Sequence, residues 1–153
     1  MDMDKLKEQI KQDEGFRECI YLDHLGNRTV GYGHLVTDKD WFHDEKVGFR
    51  LSQDELEVLL LNDLNSARRD CQFLFNDFNT LPEEVKQVCA NMAFQLGVHR
   101  LGTFKKMIKA VDEGDYKKAS KEMLDSKWAK EQTPGRAARL AGRMNQAQER
   151  KDA

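Results

Sequence analysis

From Ser52 to Asn79 the chain contains neither glycine nor proline. Leu56, Leu59, Leu60, Leu64, Ala67, Cys71 and Leu74 recur along it at helical spacing. The pattern predicts one helix of about 25 residues, where ~11–12 is usual. Ser52-Gln53-Asp54-Glu55 is a capping box that starts it, the Ser hydroxyl and the Glu carboxylate each satisfying an amide of the first turn. So long a helix fits better as a bridge between two lobes, over about 53–79, than as an element packed within one, and such an arrangement leaves a cleft.

The flanking sequence divides accordingly. Met3, Leu6 and Ile10 share one helical face, so residues 3–13 read as a helix that delivers Glu14 at its end, followed at once by Gly15. Cys19-Ile20-Tyr21-Leu22 and Thr29-Val30-Gly31-Tyr32 alternate like strands around the polar turn Asp23 to Arg28. They predict a β-hairpin in which Gly26 and Asn27 take positive φ. Residues 38–50 fit either a short helix or an irregular turn around Trp41, Phe42, Val47 and Phe49.

Beyond the bridge, Thr80-Leu81-Pro82-Glu83 marks a helix start. Val85, Val88, Cys89, Met92, Ala93 and Leu96 make the next helix apolar, with Gly97 as a left-handed stop. Further helices are expected from Thr103, from Tyr116 and from Pro134, with the polar tail from about Gln146 fraying. The expected class is α+β, mostly α. A hairpin lobe of about 13–55 is joined by the long helix to a helical lobe of about 1–12 plus 80–153.

Composition excludes several alternatives. Hydrophobic residues make up 39% and charged residues 34%, ordinary for a globular protein. No apolar run approaches the ~20 residues of a membrane helix, so no stable membrane insertion is expected. The first residues, MDMDKLKEQIKQDEG, lack the apolar segment of a secretory signal. The three cysteines, Cys19, Cys71 and Cys89, read as buried free thiols, and no C-x-x-C or Cys/His cluster suggests a metal. The net charge of −2 hides an asymmetry: residues 1–80 carry 17 acids and 10 bases, and residues 81–153 carry 10 acids and 15 bases. The basic half suits an anionic polymer or is simply a set of solvated helix faces, and no recognition motif supports nucleic acid.

On spacing alone, Glu14, Asp23 and Thr29 admit two readings. A carboxylate at a helix end, another at a hairpin turn and a hydroxyl on the return strand can converge for acid/base chemistry. Equally, helices end in Glu and turns contain Asp for local reasons.

Glu14-Gly15, Tyr21-x-Asp23 and Thr29-Val30-Gly31-Tyr32-Gly33-His34 together resemble the active-site signature of bacteriophage-type lysozymes. Asn91 to Gly97, Ser126-Lys127-Trp128, Gln132-Thr133-Pro134 and Arg136 resemble further blocks of that family in the expected order. The resemblance runs from about Leu6 to about Arg143 and implies a muramidase that cuts the glycan strands of peptidoglycan. It makes Glu14 the general acid, with Asp23 and Thr29 holding the attacking water, and it implies inversion, for which the two carboxyls stand ~6.5–9.5 Å apart. Gln95, Arg136 and Tyr32 are expected at the substrate, Arg136 matching the family arginine that pairs with the catalytic glutamate. His34 and Asp63 are expected to form a structural ion pair. Trp128 suits a sugar platform or a buried support for the arginine helix. No cofactor and no metal are expected. The resemblance also implies a monomer made in the host cytoplasm that reaches the wall through a holin-type pore. Two rivals share part of this pattern: a lytic transglycosylase, which needs neither Asp23 nor Thr29, and a non-catalytic wall-binding module.

Overall fold

The computed structural model describes residues 1–153, and the order of its elements follows the hydrophobic pattern. Helix α1 (Met3–Glu14) leads into strands β1 (Arg17–Leu22), β2 (Arg28–Gly31) and β3 (His34–Leu35). Five helices follow: α2 (Gln53–Leu74), α3 (Glu83–Gly102), α4 (Lys105–Asp112), α5 (Tyr116–Leu124) and α6 (Pro134–Asp152). The class is α+β and mostly helical, as the sequence implies. No helix is long and apolar enough to cross a membrane. The chain divides into a small unit, Asp4–Ser66, and a large unit, Met1–Met3 with Ala67–Ala153. The division falls within α2, and α1 groups with the sheet.

In the small unit the hairpin gains a third strand, giving an antiparallel sheet in the order β1-β2-β3. Thr29 pairs with Tyr21 on one side and Leu35 on the other. The free edge of β1 is covered by residues 48–51, through Ile20 N–H to Phe49 O at 2.9 Å and Gly48 N–H to Ile20 O at 2.8 Å. Covering that edge removes a template for intermolecular pairing. Ile20, Val30, Phe42, Leu51 and Leu56 form the core beneath the sheet. Residues 38–50 resolve as a chain of irregular turns, with Asp40 N–H bonded to Thr37 O and Glu45 N–H to Phe42 O. Gly26 takes positive φ in the hairpin turn but Asn27 does not; the backbone N–H and carbonyl of Asn27 are both bound to Asp23. Lys7 donates to Glu57, tying α1 to α2. Cys19 is half-buried rather than buried, while Cys71 and Cys89 are enclosed.

Helix α2 ends earlier than its sequence suggests, after 22 residues at Leu74. No glycine or proline stops it. Asp77 adopts φ 49 and ψ 41, a left-handed conformation that Asp tolerates better than most residues. The Asn76 amide is taken by Asp112 Oδ1 at 2.9 Å, and Phe75 and Phe78 turn inward, both buried. A 3₁₀ turn, Phe78–Thr80, then leads to α3. Thr80 does not cap α3, since its hydroxyl donates to Asp77 O at 2.8 Å.

In the large unit α3 is buried on every side along its middle, from Gln87 to Ala93, as a central helix is. Gly97, with φ 78 and ψ 167, ends the regular helical path as expected, and a second helical stretch runs on from the kink to Gly102. The C-terminal tail does not fray, since α6 continues to Asp152. Ala147 is buried, Gln148 accepts from Tyr116 N–H at 2.8 Å, and Lys151 donates to Gly114 O at 2.7 Å.

The capping box at the start of α2 forms in full: Ser52 N–H donates to Glu55 Oε1 at 2.8 Å and Glu55 N–H to Ser52 Oγ at 3.1 Å. Ser52→Ala should therefore cost about 1 kcal/mol, read as a lower denaturation midpoint with an unchanged slope. A midpoint equal to wild type would show that the cap carries no stability.

Candidate active site

Glu14 is the last residue of α1, and Gly15 with φ 68 turns the chain away immediately after it. The half-buried Glu14 carboxyl lies against Gly33. A Cβ at position 33 would stand 2.7 Å from Glu14 Oε2 and 3.3 Å from Cδ, so the carboxyl would have to move aside. Gly33 also has φ 73, so only glycine meets both demands without strain. The helix end and the return strand thus meet at one carboxyl group. Phe16 and Tyr32 stack beside this junction with ring centroids 4.8 Å apart, and the Lys11 ammonium lies 5.6 Å from the Tyr32 ring.

Asp23 and Thr29 converge on one peptide. Asp23 Oδ1 accepts from Leu25 N–H at 2.9 Å and Asn27 N–H at 2.8 Å. The Asn27 carbonyl accepts from Asp23 N–H at 2.9 Å and from the Thr29 hydroxyl at 3.0 Å. The Asn27 amide, then the opposing desolvation, then the Leu25 amide and the nearby His24 charge leave the Asp23 carboxyl below its ordinary range. Asp23 is thus ionised at neutral pH and suits a base or a charge stabiliser, not an acid. Thr29 is buried at 5% exposure. Its proton is committed to Asn27, so the hydroxyl offers an incoming water only its lone pairs.

His34 is held from both sides. Nδ1 lies 2.7 Å from Asp63 Oδ2 and Nε2 lies 2.9 Å from Asp40 Oδ2. The expected pair is a three-residue cluster, and Asp40 is the member that sequence reasoning missed. Its one local signal is spacing, because Asp40 Oδ2 also accepts from Thr37 N–H at 2.9 Å. Two carboxylates require two N–H donors, which only the imidazolium supplies. Burial alone would push the imidazole down, but the hydrogen bonds and charges of Asp63 and Asp40 outweigh it and raise its pKa.

The other expected residues belong to the large unit. Arg136 is half-buried at the start of α6, with Nε at 3.0 Å and Nη2 at 2.7 Å from Asn91 Oδ1. Asn91 is fully buried and was not singled out in the sequence, where it reads as one polar residue in an apolar helix. Gln95 Oε1 accepts from Trp128 Nε1–H at 2.9 Å, and its Nε2 donates to Thr133 Oγ1 at 3.4 Å. Trp128 is 2% exposed and meets Phe104 edge to face. Trp128 is therefore the buried support for the arginine helix and not an open sugar platform.

Comparison with known proteins shows the family. The family model described as phage lysozyme matches residues 11–149. Two proteins of Dictyostelium discoideum, named probable T4-type lysozyme 1 and 2, are each 32% identical over 154 residues, covering 88% of this chain and 90% of theirs. The pre-baseplate central spike protein Gp5 of Enterobacteria phage T4 is 30% identical over 153 residues, which is 88% of this chain and 26% of that protein.

The His34 cluster sets a pH dependence. Its raised folded pKa adds stability that is fully present below the unfolded value of ~6.5 and is lost as pH rises through the folded value. Asp40→Asn and Asp63→Asn should each lower the His34 pKa and cost about 1–3 kcal/mol at mildly acidic pH, with the penalty shrinking at high pH. NMR titration of the imidazole and melting curves across that range test this, and a melting temperature in either variant equal to wild type throughout would refute it.

Proposed function

Because the chain belongs to the phage lysozyme family, and so is a lysozyme-type glycoside hydrolase acting on peptidoglycan, we propose that it cleaves the β-1,4 bond between N-acetylmuramic acid and N-acetylglucosamine by direct hydrolysis. Glu14 is the general acid. Asp23 and Thr29 position the water. The observation that carries this reading is the shared grip of Asp23 and Thr29 on the Asn27 peptide.

The chemistry runs as follows. Glu14 gives its proton to the glycosidic oxygen as the bond to the anomeric carbon breaks and positive charge spreads over the sugar ring. A water donates one O–H to the Thr29 lone pair and the other to the Asp23 carboxylate, which turns its own lone pair toward the anomeric carbon. As the C–O bond forms, Asp23 takes the proton, and the product is a free reducing end. Attack on the face opposite the leaving group inverts the anomeric centre. Tyr32, Gln95 and Arg136 contact the glycan in this reading. Their positions are fixed by Phe16, by Trp128 and by Asn91 respectively. Neither cofactor nor metal is needed. The protein acts as a monomer during phage lysis or entry, crossing from the host cytoplasm to the wall through a holin-type pore.

Replacing the acid isolates its role. Glu14→Gln keeps the shape but cannot donate a proton with carboxylic-acid strength, so clearing of permeabilised Gram-negative cells should fall at least ~10²–10⁴-fold. Near wild-type clearing by the folded variant would sink the assignment.

Product chemistry separates hydrolysis from transglycosylation. If a water is held, digestion in oxygen-18 water places one label on each new muramic acid reducing end. If none is held, the 6-hydroxyl closes on the anomeric carbon and the ends are 1,6-anhydro, unlabelled and lighter by one water. Mass spectrometry of the muropeptides should find labelled reducing ends. Predominantly anhydro ends would overturn the hydrolase reading and leave Asp23 as a turn residue.

A further inference from the structure

Lys39–Phe42 and the first turns of α2 enclose a cavity of about 400 Å³ in the small unit, within the ~300–1,000 Å³ range of small-ligand sites. None of Glu14, Asp23 and Thr29 lines it. Trp41 forms one wall with 64% of its surface exposed. The indole is nevertheless fixed: it meets Phe42 edge to face at 5.3 Å and Phe49 at 6.0 Å, and Phe42 belongs to the core. An exposed, rigid aromatic face can take a ligand at little entropic cost.

The opposite wall comes from α2. Asp54, Val58 and Asn62 follow one another at intervals of four and so share a helix face. All three are exposed. Asp40 and Glu55 also line the cavity, but their carboxylates are engaged, Asp40 by His34 and Thr37 and Glu55 by Ser52. Asp54 and Asn62 stand outside these bonds. The acids disfavour an anionic ligand, and with two of the three engaged they do not make a cage for an ammonium group. An aromatic plane facing a polar–apolar–polar row suits a pyranose, whose C–H face is apolar and whose rim of hydroxyls needs acceptors and donors.

We propose that this cavity is an auxiliary saccharide subsite for an N-acetylhexosamine unit of a β-linked glycan. The ring lies on Trp41, its hydroxyls meet Asp54 and Asn62, and the acetamido methyl packs on Val58. A strand held here stays on the protein between cleavage events. That the natural glycan is peptidoglycan rests on the hydrolase reading above; that the cavity binds an amino sugar does not.

The test uses the full chain carrying Glu14→Gln, titrated with a soluble β-1,4-linked N-acetylglucosamine oligomer and followed by NMR. The chain has two tryptophans, and Trp128 is buried, so their indole signals separate. Trp41, Val58 and the Asn62 amide should shift together and saturably. Asn62→Ala should weaken the titration while the fold is kept. With Glu14 intact, Trp41→Ala should raise KM on insoluble walls about tenfold, the loss of one aromatic contact, with kcat and turnover of short soluble fragments unchanged. A Trp41 signal that stays still at saturating oligomer, or an unaltered KM in Trp41→Ala, overturns the subsite. An equal response to a glucose oligomer lacking the acetamido group overturns its amino-sugar assignment. A wild-type protein that releases no ends from walls yet keeps the Trp41 response would fell the hydrolase reading and leave the subsite standing.

Discussion

The small unit is organised by the approach of the Glu14 carboxyl to the Gly33 backbone. A hydrogen at position 33 lets the end of α1 close onto the turn between β2 and β3, and a methyl group there would meet the carboxyl at 2.7 Å. Two independent demands fall on that residue, positive φ and missing volume, and both are local consequences of where Glu14 must sit. From this contact the rest follows in order. Gly15 turns the chain out of the helix, β1 runs along the sheet, and the return strand carries Thr29 and leads through Gly33 to His34. A glycosidase acid needs a fixed position more than strong binding, because proton transfer requires hydrogen-bond reach of the leaving oxygen.

The polar side chains around it are constrained by valence as much as by distance. Asn27 offers one N–H and one carbonyl, and the hairpin uses both: the N–H feeds Asp23, and the carbonyl takes the Asp23 amide and the Thr29 proton. Asp23 is thereby kept ionised and Thr29 is left as an acceptor, the states that the proposed water-positioning roles require. His34 shows the same logic with opposite sign. Two carboxylates demand two donors, so the ring is held as a cation. The pull is largest while Asp40 and Asp63 stay charged, which links residues 37–40, β3 and α2 through one imidazole ring.

The fold was legible where a residue's role is set by its near neighbours. The capping box at Ser52 and Glu55, the heptad-like leucines of α2 and the alternation in β1 and β2 all act over a few residues, and they formed as read. Two of the failures share a cause, a distant partner that no local pattern reports. Helix α2 stops at Leu74 because Asp112, 36 residues on from Asn76, takes an amide. The tail past Gln146 stays helical because Tyr116 and Gly114 bind it. Gly97 did supply positive φ, but whether a helix resumes beyond a glycine depends on what packs there. At the site, Glu14, Asp23 and Thr29 were visible as chemistry-bearing types at suggestive positions. Asp40 and Asn91 were not, because an aspartate in a polar turn and an asparagine in an apolar helix look like solvent-facing residues until their partners are known.

Asn91 belongs to a wider device. Gln87, Asn91 and Gln95 stand four residues apart on α3, so three amides form one row along a helix that is otherwise apolar. Gln87 and Asn91 are fully buried, and a buried amide is costly unless it is bonded. Each amide holds a different distant segment, although Gln87 does so through its Nε2 alone and leaves its buried Oε1 without a partner. Gln87 donates to Asp2 O at 2.8 Å, Asn91 receives Arg136, and Gln95 receives the Trp128 indole and reaches Thr133. Apolar packing tolerates small rotations of α6 about α3, since one methyl group replaces another at little cost. Directional bonds do not. The row therefore fixes the register of the C-terminal segment, and with it the position of the Arg136 guanidinium, which an all-leucine α3 would leave free to slide.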